Sequence, residues 1–487
     1  MRLKESQVTS EQQPAVSLAF ADCFGVSSPV FRGCFGSPIG GALGSGRDAP
    51  RWGRLMYSLL APSGCDPLKL VSCLFLLGLL LCAVPQPAVA LLMDANAFND
   101  QGILRQSKGD LDGAIESYRE ALKLQPDFEE ARYNLGVALQ AKGDLDGAVE
   151  QFRAAIRLKP ADANAHGNLG NALNSKGDVD GAIGEYRTAL RLQPDSPLIH
   201  YNLAIALKAK GDLDGAIEEY RTVIRLQPDD ANAQNNLGIA LQRKGDMDGA
   251  IGHYREAVRL NPEKVNARYN LGVGLQTKND LDAAITEYRS VLLLQPEHSG
   301  AHNNLGIALQ AKGDLPGAVE QFRITVRLRP DHVGAHYNLA NALQEQGDLD
   351  GAIAEYREAL RLDPKHANAH LNLGAALQAK GDLDGAIAMY RNLLTMEPGR
   401  ARARYNLGVA LQAKGDLDGA IEQYRVLVNV RQDYASGYFA LGQALAQKGS
   451  RDEAIQAFRK YLALEQDTPV THQRIEQVRA RLKELEG

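Results

Sequence analysis

The chain has 487 residues and a net charge of −5, with both charge signs dispersed along most of its length. That distribution excludes the basic stripe expected of a protein that binds nucleic acid. All five cysteines lie before residue 91, so the remaining sequence contains no disulfide, thiol nucleophile or cysteine metal site.

Residues 1–55 are rich in glycine, serine and proline and show no periodicity. We interpret them as an N-terminal extension of low order. A targeting signal normally stands at the extreme N terminus, whereas the candidate signal described below is preceded by these 55 residues. An alternative is therefore that translation begins at Met56 and that residues 1–55 are not translated.

Residues 56–93 contain an apolar run, Leu70–Val84, of about the length of a secretory h-region. Two prolines follow, and Ala88-Val89-Ala90 provides the small residues typical of a cleavage site. The pattern favours a signal peptide cleaved after Ala90. The alternative is an uncleaved anchor, because residues 70–93 are long enough to span a bilayer. Both interpretations predict a protein that is exported to the periplasm or the extracellular space, or is associated with a membrane.

From residue 95 onwards the sequence is periodic. Nine prolines recur at 34-residue intervals from Pro126 to Pro398. A constant period of this size indicates stacked copies of one supersecondary unit. If each proline is the third-last residue of a block, residues 95–468 form eleven repeats, and Gln432 and Gln466 replace the proline in the last two.

Each block predicts two helices joined by a short turn. In the block that begins near residue 129, the first helix carries apolar residues at three- and four-residue spacing and should end at Gly143. These apolar residues are Ala131, Leu135, Ala138 and Leu139. Asp144 should cap the second helix, and Pro160 should end it. Its predicted buried residues are Ala148, Val149, Phe152, Ile156 and Leu158.

The sequence ends with residues 469–487, in which apolar side chains alternate with charged ones at helical spacing. The apolar residues are Ile475, Val478, Leu482 and Leu485. We expect a capping helix that covers the apolar face of the last repeat, as stacked arrays require.

Several positions of the block carry a family resemblance. The Leu-Gly of the first helix, the alanine and tyrosine of the second and the closing proline resemble the tetratricopeptide repeat over residues 95–468. The resemblance implies an all-α fold, a right-handed α-solenoid of eleven helix-turn-helix repeats with a C-terminal capping helix. It also implies a non-enzymatic protein–protein interaction scaffold.

One polar column runs through nine consecutive repeats, immediately before Leu-Gly or Leu-Ala. We call it the asparagine ladder: Asn134, Asn168, Asn202, Asn236, Asn270, Asn304, Asn338, Asn372 and Asn406. At about 100° per residue the ladder faces away from the apolar stripe, so it should line a groove. An amide both donates and accepts hydrogen bonds, so the ladder could hold the main chain of an extended peptide. The alternative is a consensus residue copied by duplication.

Two further columns accompany the ladder. Tyrosines precede every second ladder asparagine and could supply aromatic contacts to a ligand, although duplication of repeats in pairs would also produce them. They are Tyr133, Tyr201, Tyr269, Tyr337 and Tyr405. A second amide column consists of Gln140, Gln242, Gln276, Gln310, Gln344, Gln378 and Gln412.

The ladder is similar to the superhelical repeat region of the O-linked N-acetylglucosamine transferases, in which such asparagines line the inner groove and bind substrate peptides. No glycosyltransferase domain follows the array in this sequence, so the resemblance does not imply transfer activity. It leaves an alternative function as the accessory recognition subunit of a glycosyltransferase or of a secretion or envelope-assembly system. No arginine replaces a ladder asparagine, and no lysine precedes one. The sequence therefore excludes the carboxylate clamp by which chaperone-binding members of the family hold a C-terminal carboxylate.

Three histidine pairs have the i,i+4 spacing of metal ligands: His298/His302, His332/His336 and His366/His370. The first member of each pair should precede the start of a helix, and no third ligand recurs beside them. We therefore predict neither a metal nor another cofactor, and no catalytic residue.

Overall fold

The computed structural model describes residues 94–487. The predicted extension at residues 1–55 and the predicted signal peptide or anchor at residues 56–93 lie outside the described residues. No helix between residues 94 and 487 is both long enough and apolar enough to cross a membrane.

Residues 94–487 contain twenty-three α-helices and no strand. The first helices of the repeats are α1 (Ala95–Ser107), α3 (Glu129–Lys142), α5 (Ala163–Lys176), α7 (Pro197–Lys210), α9 (Ala231–Lys244), α11 (Val265–Thr277), α13 (Ser299–Ala311), α15 (Val333–Gln346), α17 (Ala367–Ala379), α19 (Ala401–Lys414) and α21 (Ala435–Lys448). The second helices are α2 (Leu111–Leu124), α4 (Leu145–Leu158), α6 (Val179–Leu192), α8 (Leu213–Leu226), α10 (Met247–Leu260), α12 (Leu281–Leu294), α14 (Leu315–Leu328), α16 (Leu349–Leu362), α18 (Leu383–Met396), α20 (Leu417–Val430) and α22 (Arg451–Leu464). The capping helix is α23 (His472–Glu486). The predicted all-α solenoid of eleven repeats is confirmed.

The turn within each repeat follows the predicted capping pattern. Gly143 ends α3 with a φ of 90°, a left-handed conformation that glycine adopts without steric cost. Asp144 then accepts a hydrogen bond from the backbone N–H of Gly147, and so caps α4. At one turn Asn279 replaces the glycine and has a φ of 63°. Asparagine is among the few other residues that tolerate this conformation.

In most repeats the core is an aromatic ring packed on the Leu-Gly of the first helix. A Cβ added to Gly136 would lie 2.7 Å from the Phe152 ring, so the glycine lets the two helices approach closely. Leu135 and Leu139 are buried beside it, as predicted. The prediction for α4 was wrong at its end: Leu158 is 43% exposed, and Ile156 is only partly buried. Leu158 is the last residue of α4 and lies beside the exposed turn that contains Lys159 and Pro160.

Each helix packs mainly on the helices before and after it, as expected of a solenoid. The first helices of most successive repeats also contact each other. No comparable contact joins the second helices of successive repeats between residues 94 and 487. The first helices therefore form the inner side of the array, and the second helices form its outer side.

The capping helix covers the end of the array. Ile475, Val478 and Leu482 of α23 are at most 8% exposed and pack against the last repeat, and Leu485 is partly buried there. Their burial agrees with the amphipathic stripe seen in the sequence.

Candidate functional site

The asparagine ladder lies on the first helices, one residue per repeat from α3 to α19, and every ladder side chain is half-buried. Because the first helices of successive repeats contact each other, the ladder follows the inner side of the array. The peptide-binding role predicted for this column stays a prediction.

Most ladder amides bind the preceding repeat. The Nδ2 of the asparagine donates a hydrogen bond to a side chain of the previous repeat. That side chain belongs to the residue 35 positions earlier, immediately before the ladder position of the previous first helix. In three junctions the acceptor is the amide oxygen of another asparagine, at 3.0–3.1 Å: Asn134 to Asn99, Asn270 to Asn235 and Asn338 to Asn303. In four junctions the acceptor is a tyrosine hydroxyl, at 2.6–3.1 Å: Asn168 to Tyr133, Asn236 to Tyr201, Asn304 to Tyr269 and Asn372 to Tyr337. The ladder therefore links neighbouring repeats.

Two junctions differ because the acceptor position holds a residue without a suitable oxygen. Gly167 occupies it in one, and Asn202 donates instead to the amide oxygen of Asn171 at 2.9 Å. Leu371 occupies it in the other, and the Asn406 amide lies against the Tyr390 hydroxyl of the preceding repeat. These exceptions show that the residue before the ladder position determines which acceptor the next ladder amide contacts.

The ladder amides retain unused hydrogen-bonding capacity. An asparagine amide has two N–H donors and an oxygen with two lone pairs, and the inter-repeat bond uses one N–H. Within residues 94–487, the amide oxygens of Asn236 and Asn270 accept no hydrogen bond. Neither oxygen is fully buried. They are therefore open to solvent or to a ligand. The amide oxygens of Asn168 and Asn304 differ, since Asn171 and Asn303 donate to them.

The tyrosine column has a role that the sequence did not indicate. The hydroxyls of Tyr133, Tyr201 and Tyr269 accept from ladder asparagines and keep their own protons to donate, because burial raises the pKa of each above the ordinary value of 10.0. The rings pack on the aromatic ring of the second helix, for instance Tyr201 on Tyr220 with centroids 5.8 Å apart. Tyr405 accepts from no ladder residue, because the position 35 residues later is Ala440.

The glutamine column is tied to the core tyrosines. The Tyr254 hydroxyl donates to the Gln242 amide oxygen at 2.7 Å, and the Tyr288 hydroxyl donates likewise to Gln276. The same contact recurs at Gln344, Gln378 and Gln412. Gln140 and Gln310 face repeats whose aromatic residue is a phenylalanine, Phe152 and Phe322, and so lack this donor. The glutamine column is thus hydrogen-bonded to the core tyrosines of its own repeats.

Family models match residues 104–468 with only short gaps. A model described as TPR repeat matches residues 104–143, 139–175, 170–211 and 340–381. Two models described as tetratricopeptide repeat match residues 201–265, 269–333, 371–436 and 435–468. The chain belongs to the tetratricopeptide-repeat family.

Solved structures of tetratricopeptide-repeat proteins are similar to parts of this chain. YrrB, described as a TPR protein with an unusual peptide-binding site, is 26% identical and covers 39% of this chain and 97% of its own, with a TM-score of 0.35. MamA is 29% identical and covers 34% of this chain and 95% of its own, with a TM-score of 0.33. Yeast Tom70 is 19% identical and covers 80% of this chain and 95% of its own, with a TM-score of 0.34. A search of curated proteins found no match.

A third polar column of the tetratricopeptide array was missed from the sequence. Two residues before the ladder, an arginine or histidine binds the carbonyl oxygen of the proline that closes the preceding repeat. Arg268, for example, binds the Pro262 carbonyl at 2.6 Å and the Glu287 carboxylate at 2.9 Å. The other residues with this proline contact are Arg132, His166, His200, His302, His336, His370 and Arg404. The signal available in the sequence was that nearly every repeat has a strong hydrogen-bond donor at this position.

In each of the three histidine pairs, the two histidines bind different partners. His298, His332 and His366 cap their helices, each through Nδ1, which accepts the backbone N–H three residues later. The second member of each pair binds a proline carbonyl instead. Among residues 94–487, no group of three or more histidine, cysteine, aspartate or glutamate side chains could hold a metal ion.

Proposed function

We propose that this chain is a non-enzymatic scaffold that binds extended peptide segments along the inner, first-helix surface of the array. The proposal rests on the hydrogen bonds that the ladder amides make and on the hydrogen-bonding groups that they leave free. Each bonded asparagine is held in place by one N–H to the neighbouring repeat, and in residues such as Asn236 and Asn270 the amide oxygen is left free. A surface whose polar groups are already oriented loses little conformational entropy when a ligand binds.

The surface carries both kinds of hydrogen-bonding group that a peptide main chain needs. The free amide oxygens accept peptide N–H groups. The remaining asparagine N–H groups and the hydroxyls of Tyr201, Tyr269 and Tyr337 donate to peptide carbonyls. These groups recur in successive repeats and carry no net charge. They therefore suit the main-chain amides of a ligand and place little constraint on its side chains.

The test is the affinity of the full chain for a peptide selected against it. Asn270→Ala alone should have a small effect, since a single net hydrogen bond contributes about 0.5–1.5 kcal/mol. Changing Asn236, Asn270, Asn304 and Asn338 together to alanine should weaken binding by a few kcal/mol, on the order of four such bonds. N-methylation of the peptide backbone should weaken binding more than scrambling of its sequence does. Wild-type affinity in the fourfold variant would refute the proposal.

A control is required because the ladder also links repeats. Arg268→Ala combined with His336→Ala removes contacts between repeats, to the carbonyls of Pro262 and Pro330, but leaves every ladder amide and column tyrosine in place. If the ladder contacts the peptide, this control should lose much less affinity than the fourfold variant. Equal losses in the two variants would assign the effect to repeat packing.

The resemblance to the glycosyltransferase repeat region supports an alternative, in which the scaffold is the recognition subunit of a separate catalytic protein. Co-purification of glycosyltransferase activity with the full chain would favour that alternative, and its absence from captured complexes would count against it. We further infer export or membrane tethering from residues 70–93. N-terminal sequencing should then find Leu91 as the first residue of a cleaved form, and a native chain beginning at Met1 in the cytosol would contradict this.

A further inference from the structure

An ion pair recurs across the outer edge of nearly every repeat junction. A lysine at the end of a first helix pairs with an aspartate in the first turn of the preceding second helix, as Lys210 does with Asp180 at 2.6 Å and Lys278 with Asp248 at 2.9 Å. The others are Lys142–Asp112, Lys176–Asp146, Lys244–Asp214, Lys312–Asp282, Lys380–Asp350, Lys414–Asp384 and Lys448–Asp418. We call each of these contacts a strap.

One junction between repeats lacks the strap. Pro316 stands at the aspartate position of α14, and Gln346 stands at the lysine position of α15. An open cavity of about 640 Å³ lies there, with both residues in its lining. At the first junction, where Lys142 and Asp112 form a strap, the corresponding cavity is about 400 Å³. The unstrapped junction therefore leaves a larger recess on the outer side of the array.

The wall of this recess is apolar and cationic. Val319, Ile324 and Pro316 provide its apolar part, and Arg323 and Arg327 project from one face of α14. Within residues 94–487 neither arginine pairs with a carboxylate. In two other repeats the arginine equivalent to Arg327 has a carboxylate partner three residues earlier on its own helix: Arg259 pairs with Glu256, and Arg361 with Glu358. The equivalent Arg157, Arg191 and Arg225 have no acidic residue at that position. Ile324 occupies that position here.

We propose that this recess binds an acidic peptide segment in which a carboxylate neighbours an apolar side chain. The two unpaired guanidinium groups would bind the carboxylate, since arginine is suited to bidentate carboxylate recognition. The apolar side chain would pack against Ile324 and Pro316. The recess has the volume of a small-ligand site, larger than a simple anion requires. Glu320 also lines the recess and offsets one of the two arginine charges, so the site suits a single ligand carboxylate. The site is on the outer side of the array, so it is independent of the proposed inner groove.

The experiment titrates the full chain, at low salt, with a fluorescein-labelled peptide of alternating glutamate and leucine and follows fluorescence anisotropy. Arg323→Ala combined with Arg327→Ala should weaken binding about tenfold or more, as expected for lost charged hydrogen bonds. Pro316→Asp combined with Gln346→Lys should weaken it comparably by installing the missing strap. The second variant should fold normally, because nine junctions already carry that pair.

The matched control is Arg255→Ala combined with Arg259→Ala, at the same positions of α10, where the strap Lys278–Asp248 is present. Its affinity should equal that of the wild type. The proposal is overturned if Arg323→Ala/Arg327→Ala binds like the wild type, or if the control loses as much affinity. It is also overturned if a glutamine–leucine peptide, or a glutamate–serine peptide, binds as tightly as the glutamate–leucine peptide.

Discussion

The inter-repeat bond of the ladder can be measured by a double-mutant cycle on Asn236 and Tyr201. The Asn236 amide donates to the Tyr201 hydroxyl at 2.6 Å, and neither side chain makes another side-chain hydrogen bond in residues 94–487. A neutral hydrogen bond contributes about 0.5–1.5 kcal/mol net, so Asn236→Ala and Tyr201→Phe should show a coupling energy of about 1 kcal/mol. The bond joins α9 to α7, so its loss should weaken that junction more than any other.

Urea unfolding of the full chain, analysed as a nearest-neighbour array, gives the junction energies of the four members of the cycle. Hydrogen exchange of α7 and α9 locates the change along the chain. Tyr405→Phe is the control for Tyr201→Phe, since Ala440 occupies the position 35 residues after Tyr405 and no ladder asparagine donates to its hydroxyl. A coupling energy below about 0.3 kcal/mol, or a loss of junction energy in Tyr405→Phe equal to that in Tyr201→Phe, would refute the linking role.

Three further predictions concern the repeats themselves. Tyr254→Phe should lower the free energy of unfolding by about 0.5–1.5 kcal/mol, because the hydrogen bond of its hydroxyl is lost. Tyr220→Phe should be neutral or stabilising, because its buried hydroxyl has no partner among residues 94–487. Thermal unfolding of both variants checks this. Asn279→Gly should stabilise by up to about 1 kcal/mol, since glycine has no Cβ to strain at a φ of 63°, and an unchanged or lowered melting temperature would contradict it. Burial raises the pKa of core tyrosines in the folded state, so the stability they contribute is complete below pH 10.0, their ordinary pKa, and should be lost as the pH rises towards about 12. Circular dichroism across that range should show the loss of helix, and retention of full stability at the upper end would contradict it. The tyrosines with a pKa near 12 are Tyr118, Tyr186 and Tyr390.

The helices and their ends could be predicted because they depend on local sequence. The bounds of α3 and the left-handed Gly143 follow from apolar spacing and capping within one block. The error at Leu158 arose at a helix end, where periodicity alone does not show how far the neighbouring helices extend. Local signals were sufficient wherever a residue's partners lie in its own helix or turn.

The contacts of the candidate site could be predicted only in part. The orientation of Asn236 away from the apolar stripe follows from helical geometry, but its bond to Tyr201 spans 35 residues. That bond depends on how successive first helices stack, which the pattern within one repeat does not contain. The same reason applies to the open junction, because Pro316 and Gln346 belong to different repeats. The Arg268 contact with the Pro262 carbonyl spans only six residues, so it was missed although its signal was local.

The most direct test of the inner groove is the NMR spectrum of the ladder side-chain amides during titration with a peptide selected against the full chain. The account predicts shifts of the Nδ2–H resonances of Asn236, Asn270 and Asn304, because the peptide main chain should bond to those amides. Asn392, exposed on the outer helix α18, should not respond. Saturating peptide that leaves the ladder resonances unmoved, or that shifts Asn392 instead, would contradict the account.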